Sequence, residues 1–359
     1  MSVSIKEIAK HTGLSVPTVG NVLGRSAARY SAETRRRVAE AVRELGYRPN
    51  SSARAMRQGR FGCAALVLSR SHQQTHSYIP PKLLDGLDDE LSLHNMHLTV
   101  SRLTDEELSS DEFIPKVIRE HTADGIIVNY THEIPESMLK LIRAHHAPAV
   151  WVNAKLETDC VYPDDLGAAR SVTEDLIKRG HRRIALVHLV ARLGSNQPFK
   201  ELRPRMHYSV ADRLAGYTEA MQGAGLQLRI LSNERYIDFD EHMQVCDALL
   251  RGPDRPTAVL AYSENEVTPV MCAARIAGLS IPRDLSVVMF APASAWVAGH
   301  EVSIAAVPTE EVGRRAVRML LRRLESHQDG EVSCPPDPVP YGLVPSQTIG
   351  PVNQQNTSD

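Results

Sequence analysis

The sequence predicts an α/β protein: an all-helical helix-turn-helix head (1–47), a hinge (48–60), a two-lobed body of two doubly wound parallel sheets (61–345) and a polar tail (346–359). Three observations carry that prediction. Up to residue 47 the apolar residues recur at helical spacing, whereas from Cys63 onward short β-branched runs alternate with helical patterns, the sign of parallel α/β layers. The strands number roughly ten, more than one compact sheet of ordinary size holds, so they divide into two similar lobes. Charge divides at the same place: residues 1–60 carry 12 Lys and Arg against 4 Asp and Glu, and the rest 29 against 39. A basic head on an acidic body points to nucleic acid at one end only.

Each element of the head follows from local signals. Ser4-Ile5-Lys6-Glu7 has the capping-box form, and Ile5, Ile8 and Ala9 give the first helix one apolar face. Gly13 closes it in a tight turn, and Ser15 caps a second helix with Val19, Val22 and Leu23 on its buried stripe. Two short helices joined this way form a helix-turn-helix. Gly24 breaks the second helix. A third starts at Ser31, buries Val38, Ala41, Val42 and Leu45, turns Arg35, Arg36, Arg37 and Arg43 to solvent, and stops at Gly46. The second helix leaves Val16, Pro17, Gly20 and Asn21 outward; Asn21 can pair with adenine, and Val16 and Pro17 can touch thymine methyls. A merely solvated helix pair would show the same pattern, but the surplus of positive charge weighs against it.

The hinge can change state. Pro49 cannot extend a preceding helix, Asn50 or Ser51 can cap a new one and Gly59 can end it, leaving about two turns that are marginal alone in water. Arg54, Arg57 and Arg60 suit a segment that orders on a polyanion with Met56 as an apolar wedge between base steps; a flexible basic linker is the alternative.

In the body, strands are expected at 63–68, 98–100, 125–128, 149–152, 184–187, 258–261 and 286–289, and helices near 83–94, 135–146, 166–179, 212–222, 241–250, 266–277 and 310–325. Ligands of such folds sit beyond the carboxyl ends of the strands. Five scattered cysteines without a C-x-x-C pair argue for reduced thiols, and the absence of an apolar leader or of a run of ~18 apolar residues argues for a soluble cytoplasmic protein without a membrane partner.

Ser4-Ile5-Lys6-Glu7-Ile8-Ala9, Gly13-Leu14-Ser15-Val16-Pro17-Thr18-Val19, Glu44-Leu45-Gly46-Tyr47-Arg48-Pro49-Asn50 and Ala53-Arg54-Ala55-Met56-Arg57 resemble the LacI family of transcription regulators. The resemblance implies that residues 15–23 are the recognition helix, that Thr18 approaches phosphate, and that a hinge helix over 50–58, with Asn50, Arg54 and Arg57, enters the minor groove with Met56 as its wedge. Gly20 stands where the family commonly has serine, and Asn21 where many members have arginine or histidine, so adenine is expected where guanine is often read.

The body continues the resemblance through Ala123-Asp124-Gly125-Ile126-Ile127, Lys178-Arg179-Gly180-His181-Arg182-Arg183, Arg213-Leu214-Ala215-Gly216-Tyr217 and Gly278-Leu279-Ser280-Ile281-Pro282. It implies the two-lobed fold shared with periplasmic sugar-binding proteins, with chain crossings near 160–164, 291–294 and 323–327. It also implies a dimer along both lobes and an effector cleft. In the resembling pattern Arg213 reaches the effector and Phe239 stacks on its apolar face, whereas the plainer reading of Arg213 is a surface arginine at a helix start, which would oppose the helix dipole. Asn129 and Asn153 are candidate hydrogen-bonding partners from the first lobe, and either could equally be a turn former. Ser263-Glu264 replaces a frequent Asn-Asp pair, Ala291-Pro292 a usual Asp-Asp, and Asn153 a common aspartate. A basic insertion at 189–210 leans toward an acidic or phosphorylated sugar, against the plainer reading of a solvated loop.

The expected function is therefore a dimeric, repressor-type regulator on a near-palindromic operator, answering a sugar-like effector, with no cofactor. A constitutive regulator with an unresponsive pocket is the alternative. An α/β sugar-processing enzyme is the rival class, but there is no Gly-rich phosphate loop, G-x-S-x-G elbow or H-E-x-x-H, and His145-His146, adjacent on a helix, cannot chelate one metal from one face. The tail shows no leucine heptads, so no coiled-coil tetramer is expected.

Overall fold

The computed structural model describes residues 3–24, 27–48, 60–70, 80–104, 122–129, 134, 136–188, 207–232, 237–326 and 333–353. The chain forms two units, Met1–Gly62 and Cys63–Asp359. The expected hinge helix, with Asn50, Arg54, Met56 and Arg57, and residues 189–206 of the basic insertion lie outside the described residues.

The head holds α1 (Ile5–Thr12), α2 (Val16–Val22) and α3 (Ala32–Glu44), with a 3-10 turn at Ala27–Arg29. Its ends are made by the anticipated residues. The Glu7 carboxylate accepts the Ser4 amide at 2.6 Å and hydroxyl at 2.9 Å. Gly13, at φ +63°, lets the Leu14 amide reach the Ala9 carbonyl at 3.1 Å. Ser15 and Ser31 each accept the amide three residues on, from Thr18 and Thr34, at 3.2 Å. Ile8, Val19 and Val38 meet at the centre with no exposed surface.

The first lobe of the body is a parallel sheet of β1 (Cys63–Arg70), β2 (His97–Thr104), β3 (Gly125–Asn129), β4 (Ala149–Val152), β5 (Cys160–Pro163) and the late-arriving β13 (Asp337–Val339), in the order β13-β5-β4-β3-β1-β2. Its central strands, β1, β3 and β4, read as apolar runs because helices cover both faces. One face packs on α4 (Pro81–Leu93) and α10 (Thr309–Ser326) through Leu83, Leu87, Leu91, Val312, Ala316 and Leu320; the other packs on α5 (Glu136–Ala144) through Met138 and Ile142. The α4–α10 crossing is close enough to require glycine. A Cβ on Gly86 would lie 2.0 Å from the Glu310 carbonyl oxygen, and one on Gly313 2.7 Å from that of Leu83.

The second lobe repeats the plan with β6 (Ile184–His188), β7 (Ile230–Ser232), β8 (Ala258–Ala261), β9 (Ser286–Ala291), β12 (Ser303–Ala306) and an antiparallel edge, β14 (Leu343–Val344), in the order β14-β12-β9-β8-β6-β7. Its helices are α6 (Asp165–Lys178), α7 (Tyr208–Gly223), α8 (Phe239–Arg251) and α9 (Glu264–Ile276). A small hairpin of β10 (Trp296–Val297) and β11 (His300–Glu301) follows β9. Among the described residues no helix is long and apolar enough to cross a membrane.

The chain passes between lobes after β5, between β12 and α10, and between β13 and β14. Only the first crossing was placed correctly by the sequence. At 291–294 the chain turns into the β10–β11 hairpin and returns to pair β12 with β9, so it leaves this lobe only after Ala306. At 323–327, α10 runs on to Ser326, and β13 then joins the first sheet before the chain leaves it. Residues 346–353, expected to open a polar tail, pack on the second lobe: Thr348 is buried, its hydroxyl donating to the Val287 carbonyl at 2.7 Å and accepting the Ser303 amide at 2.8 Å.

Candidate functional site

Two places bring polar side chains together on fixed backbone. The first is the outer face of α2. Val16, Pro17 and Asn21 are exposed there, while Val19 is fully buried, so the helix is clamped by one side and presents the other. Ser15 is held by the cap, and its hydroxyl is 2.8 Å from that of Thr18. Gly20 is half-buried rather than outward, because it faces Ile5; a Cβ there would stand 3.5 Å from Ile5 Cδ1. Asn21 is not free-standing: its Nδ2 donates to the Tyr30 hydroxyl at 3.0 Å.

The second place lies where the carboxyl ends of both sheets meet the lobe crossings. Asn129 closes β3 and Asn153 follows β4; Asn153 Nδ2 donates to Asn129 Oδ1 at 3.1 Å, and the Asn129 Nδ2, fully buried, has no described acceptor. From the second lobe come His188 at the end of β6, Tyr262 after β8 and Phe290 in β9. Arg213, on α7, is buried among them. Its Nε donates to Asp165 at 2.7 Å and its Nη1 to the Tyr262 carbonyl at 3.0 Å, while its guanidinium lies 4.0 Å and 4.4 Å from the Phe290 and Tyr262 ring centres. The Tyr341 hydroxyl donates to the same Asp165 oxygen at 2.6 Å.

Polar contacts also bridge the lobes. His207 Nε2 lies 2.8 Å from the Asn153 carbonyl, which can only accept, so that nitrogen carries the proton and Nδ1 accepts the Ser209 amide at 3.4 Å. The Ser209 hydroxyl continues the chain to the Tyr262 hydroxyl at 2.7 Å. Lys155 reaches across to Asp212 at 2.8 Å, and the Tyr208 hydroxyl donates to the Pro163 carbonyl at 3.2 Å.

Burial sets the electrostatics. The Arg213 pKa is raised: burial opposes its charge, but Tyr341, Asp165 and Tyr262 outweigh that. Burial, helped by the Arg213 charge, pulls the His188 imidazole down to about 4, so it is neutral at physiological pH. Burial also raises the Glu266 carboxyl, against the hydrogen bond from Ser263 at 2.6 Å and the Arg213 charge. The result is a charge-compensated, aromatic-lined cluster at the carboxyl ends of the strands, the place where ligands of such folds sit.

The structure places several of the expected site residues differently from the sequence reading. Arg213 was placed at a helix start, but α7 begins at Tyr208, which puts Arg213 in the second turn, inward and already paired. Phe239 is 52% exposed at the first position of α8 and shares no hydrogen bond or ring contact with the cluster among the described residues. Glu264 is exposed on the first turn of α9, and Glu266 is the buried acid. Ser263 serves as that helix's cap, accepting the Asn265 amide at 3.2 Å. Asp165, His188, His207, Tyr262, Glu266 and Tyr341 were missed. The Ser263-Glu264-Asn265-Glu266 stretch has the same S-x-x-E form as Ser4 to Glu7 and carried a signal for Glu266. A cavity of about 520 Å³ in the first lobe, lined by Arg143, Trp151, Asp159 and Arg323, shares no residue with the cleft, and its deepest cation, Arg323, is paired with Asp159.

Known proteins bear on both places. Residues 4–50 match the model described as "Bacterial regulatory proteins, lacI family", and residues 173–348 that of a periplasmic binding protein-like domain. Among curated relatives, the probable HTH-type transcriptional regulator EndR of Paenibacillus polymyxa is 26% identical over 92% of this chain and 94% of its own. The HTH-type transcriptional repressor PurR of Escherichia coli O139:H28 is 25% identical over 91% and 92%. Among solved structures, the lac repressor dimer bound to operator and the anti-inducer ONPF covers 97% of this chain and 99% of its own at TM-score 0.69 and 21% identity. A CelR–cellobiose complex covers 96% and 99% at TM-score 0.59 and 23% identity. With a lacI-type head over residues 4–50, a periplasmic-binding-type body over 173–348 and regulators aligned along more than nine-tenths of its length, the chain is similar throughout to bacterial regulatory proteins of the lacI family.

Proposed function

We propose that this regulator acts as a homodimeric, cytoplasmic repressor on a near-palindromic DNA operator, and that a small neutral sugar-like ligand in the cleft changes its affinity for that operator. The observation that carries the DNA half is the α2 face: three exposed groups able to read base edges, Val16, Pro17 and Asn21, on a helix whose opposite side is locked into the head. Ser15 and Thr18 then contact phosphate, and Asn50, Arg54, Met56 and Arg57 form the hinge that opens the minor groove at the operator's centre. Two-fold symmetry supplies the second half-site.

The ligand half rests on the cleft. The buried Asn129 amide without an acceptor would gain one from a ligand hydroxyl, and the cleft cations Arg213 and Lys155 each already face a carboxylate. That compensation favours a neutral polyol over an acidic or phosphorylated sugar. Tyr262 and Phe290 supply the apolar wall. Among the relatives, one structure holds cellobiose and another is bound to operator, which supports the same division of labour. The named relatives are regulators rather than enzymes, and the cleft is read here as a binding site without catalysis.

Selection of the full-length protein on randomised duplexes at near-physiological salt tests the DNA half. One enriched near-palindrome with a fixed centre is expected; a bound pool with no shared sequence would reduce the head to a charge-driven binder.

A further inference from the structure

The Asn21 side chain reads DNA only if its amide is held in one attitude, and the head contains a residue that holds it. Tyr30 stands between the 3-10 turn Ala27–Arg29 and the Ser31 cap of α3. Its amide donates to the Ala27 carbonyl at 3.1 Å, and Ser31 is fixed by the Thr34 amide at 3.2 Å, so the backbone on both sides of the ring is set by hydrogen bonds. The ring is half-buried and its hydroxyl accepts from Asn21 Nδ2 at 3.0 Å.

We propose that Tyr30 is a positioning residue for base readout: it takes one Asn21 N–H and leaves Oδ1 and the other N–H side by side for a single base edge. Adenine demands that pairing, an acceptor for its N6 amino group next to a donor for its N7. An untethered amide would sample several rotamers and both flips, and would pay the ordering entropy on each encounter. Tyr30 removes part of that cost before DNA arrives. Sequence preference at one base pair per half-site would thus depend on a residue in the α2–α3 loop as well as on the recognition helix. The inference rests on the reading of Asn21 as a base contact.

The test uses full-length wild type, Tyr30→Phe, Asn21→Ala and the double variant, each competed against the selected operator carrying all four base pairs at every position of the half-site. Phenylalanine keeps the ring and deletes only the hydroxyl; melting and helical circular dichroism of the variant confirm the fold. At the Asn21 position Tyr30→Phe is expected to lower preference for the favoured pair by about 3- to 10-fold, the range for freeing one ordered side chain, with other positions unchanged. In the Asn21→Ala background it should change nothing further. A changed preference for Asn21→Ala with an unchanged one for Tyr30→Phe would overturn the role of Tyr30 while sparing the readout. Uniform weakening by Tyr30→Phe at every sequence would assign the hydroxyl a structural or phosphate-binding role and overturn it too. An unchanged preference for Asn21→Ala would remove both.

Discussion

The α2 face and the interlobe cleft are built on opposite plans. In the head, the groups offered to a partner lie within seven consecutive residues, exposed, and the burial that supports them sits on the reverse of the same helix. In the cleft, the groups come from segments as far apart as Asp165 and Tyr341, and most are buried and bonded to one another. A surface reader must be pre-formed but unsatisfied, because its partner is large and arrives from solvent. A cleft that closes between lobes can satisfy itself, and a ligand must then exchange bonds with it. A switch requires two arrangements to choose between, and a ligand that exchanges bonds with the cleft is the means of choosing.

Removing one member of the cleft should therefore cost the fold far more than removing one member of the reading face. Asp165→Ala leaves the Arg213 guanidinium buried without its carboxylate, and should destabilise the body by about 3–5 kcal/mol in chemical denaturation. A loss below ~1 kcal/mol would mean that the pair is not closed in solution. Acid should single out the cleft next. An imidazole held near 4 when folded, and titrating near the usual ~6.5 when unfolded, gives stability that is complete at neutral pH and is lost as pH falls from about 6.5 to about 4. The full effect is on the order of 3 kcal/mol, and melting at pH 7.5 against pH 4.5 should show it. His188→Gln should flatten that dependence in part only, since burial lowers His181 and His242 in the same direction.

On the reading face the effects are smaller and of another kind. Asn21→Ala should cost about 1–3 kcal/mol of discrimination at one base pair in each half-site, measured by competition, with melting of the head unchanged. Gly20→Ala should stabilise the head by about 0.5–1 kcal/mol, because a Cβ there meets Ile5 Cδ1 at an ordinary 3.5 Å and glycine within a helix loses more entropy. A destabilised Gly20→Ala would show that α2 packs more tightly on α1 than that distance implies.

The contrast also explains what the sequence revealed. Ser4, Gly13, Ser15 and Ser31 act on neighbours three to five residues away, so the head's helices and its exposed face were legible from spacing alone. The central strands were legible as apolar runs, whereas β7, β13 and β14 are two or three residues long and form through pairing rather than composition. Arg213 was found, but its partner was not: nothing near either residue announces a bond spanning 48 positions. Tyr341 meets Asp165 across 176 positions, and His207 meets Asn153 across 54. Glu266 escaped notice because the register of α9 turns Glu264 outward, although its S-x-x-E spacing was in view.

Whether the two plans are coupled can be measured in one experiment: operator affinity by fluorescence anisotropy, with and without each neutral sugar that raises the melting temperature of the body, in wild type and in Arg213→Lys. At least one such sugar should change the operator Kd by about 5- to 150-fold, the operator should change the sugar's affinity by the same factor, and Arg213→Lys should abolish both. Sugars that stabilise the body while leaving the operator Kd untouched would contradict the coupling of cleft and head.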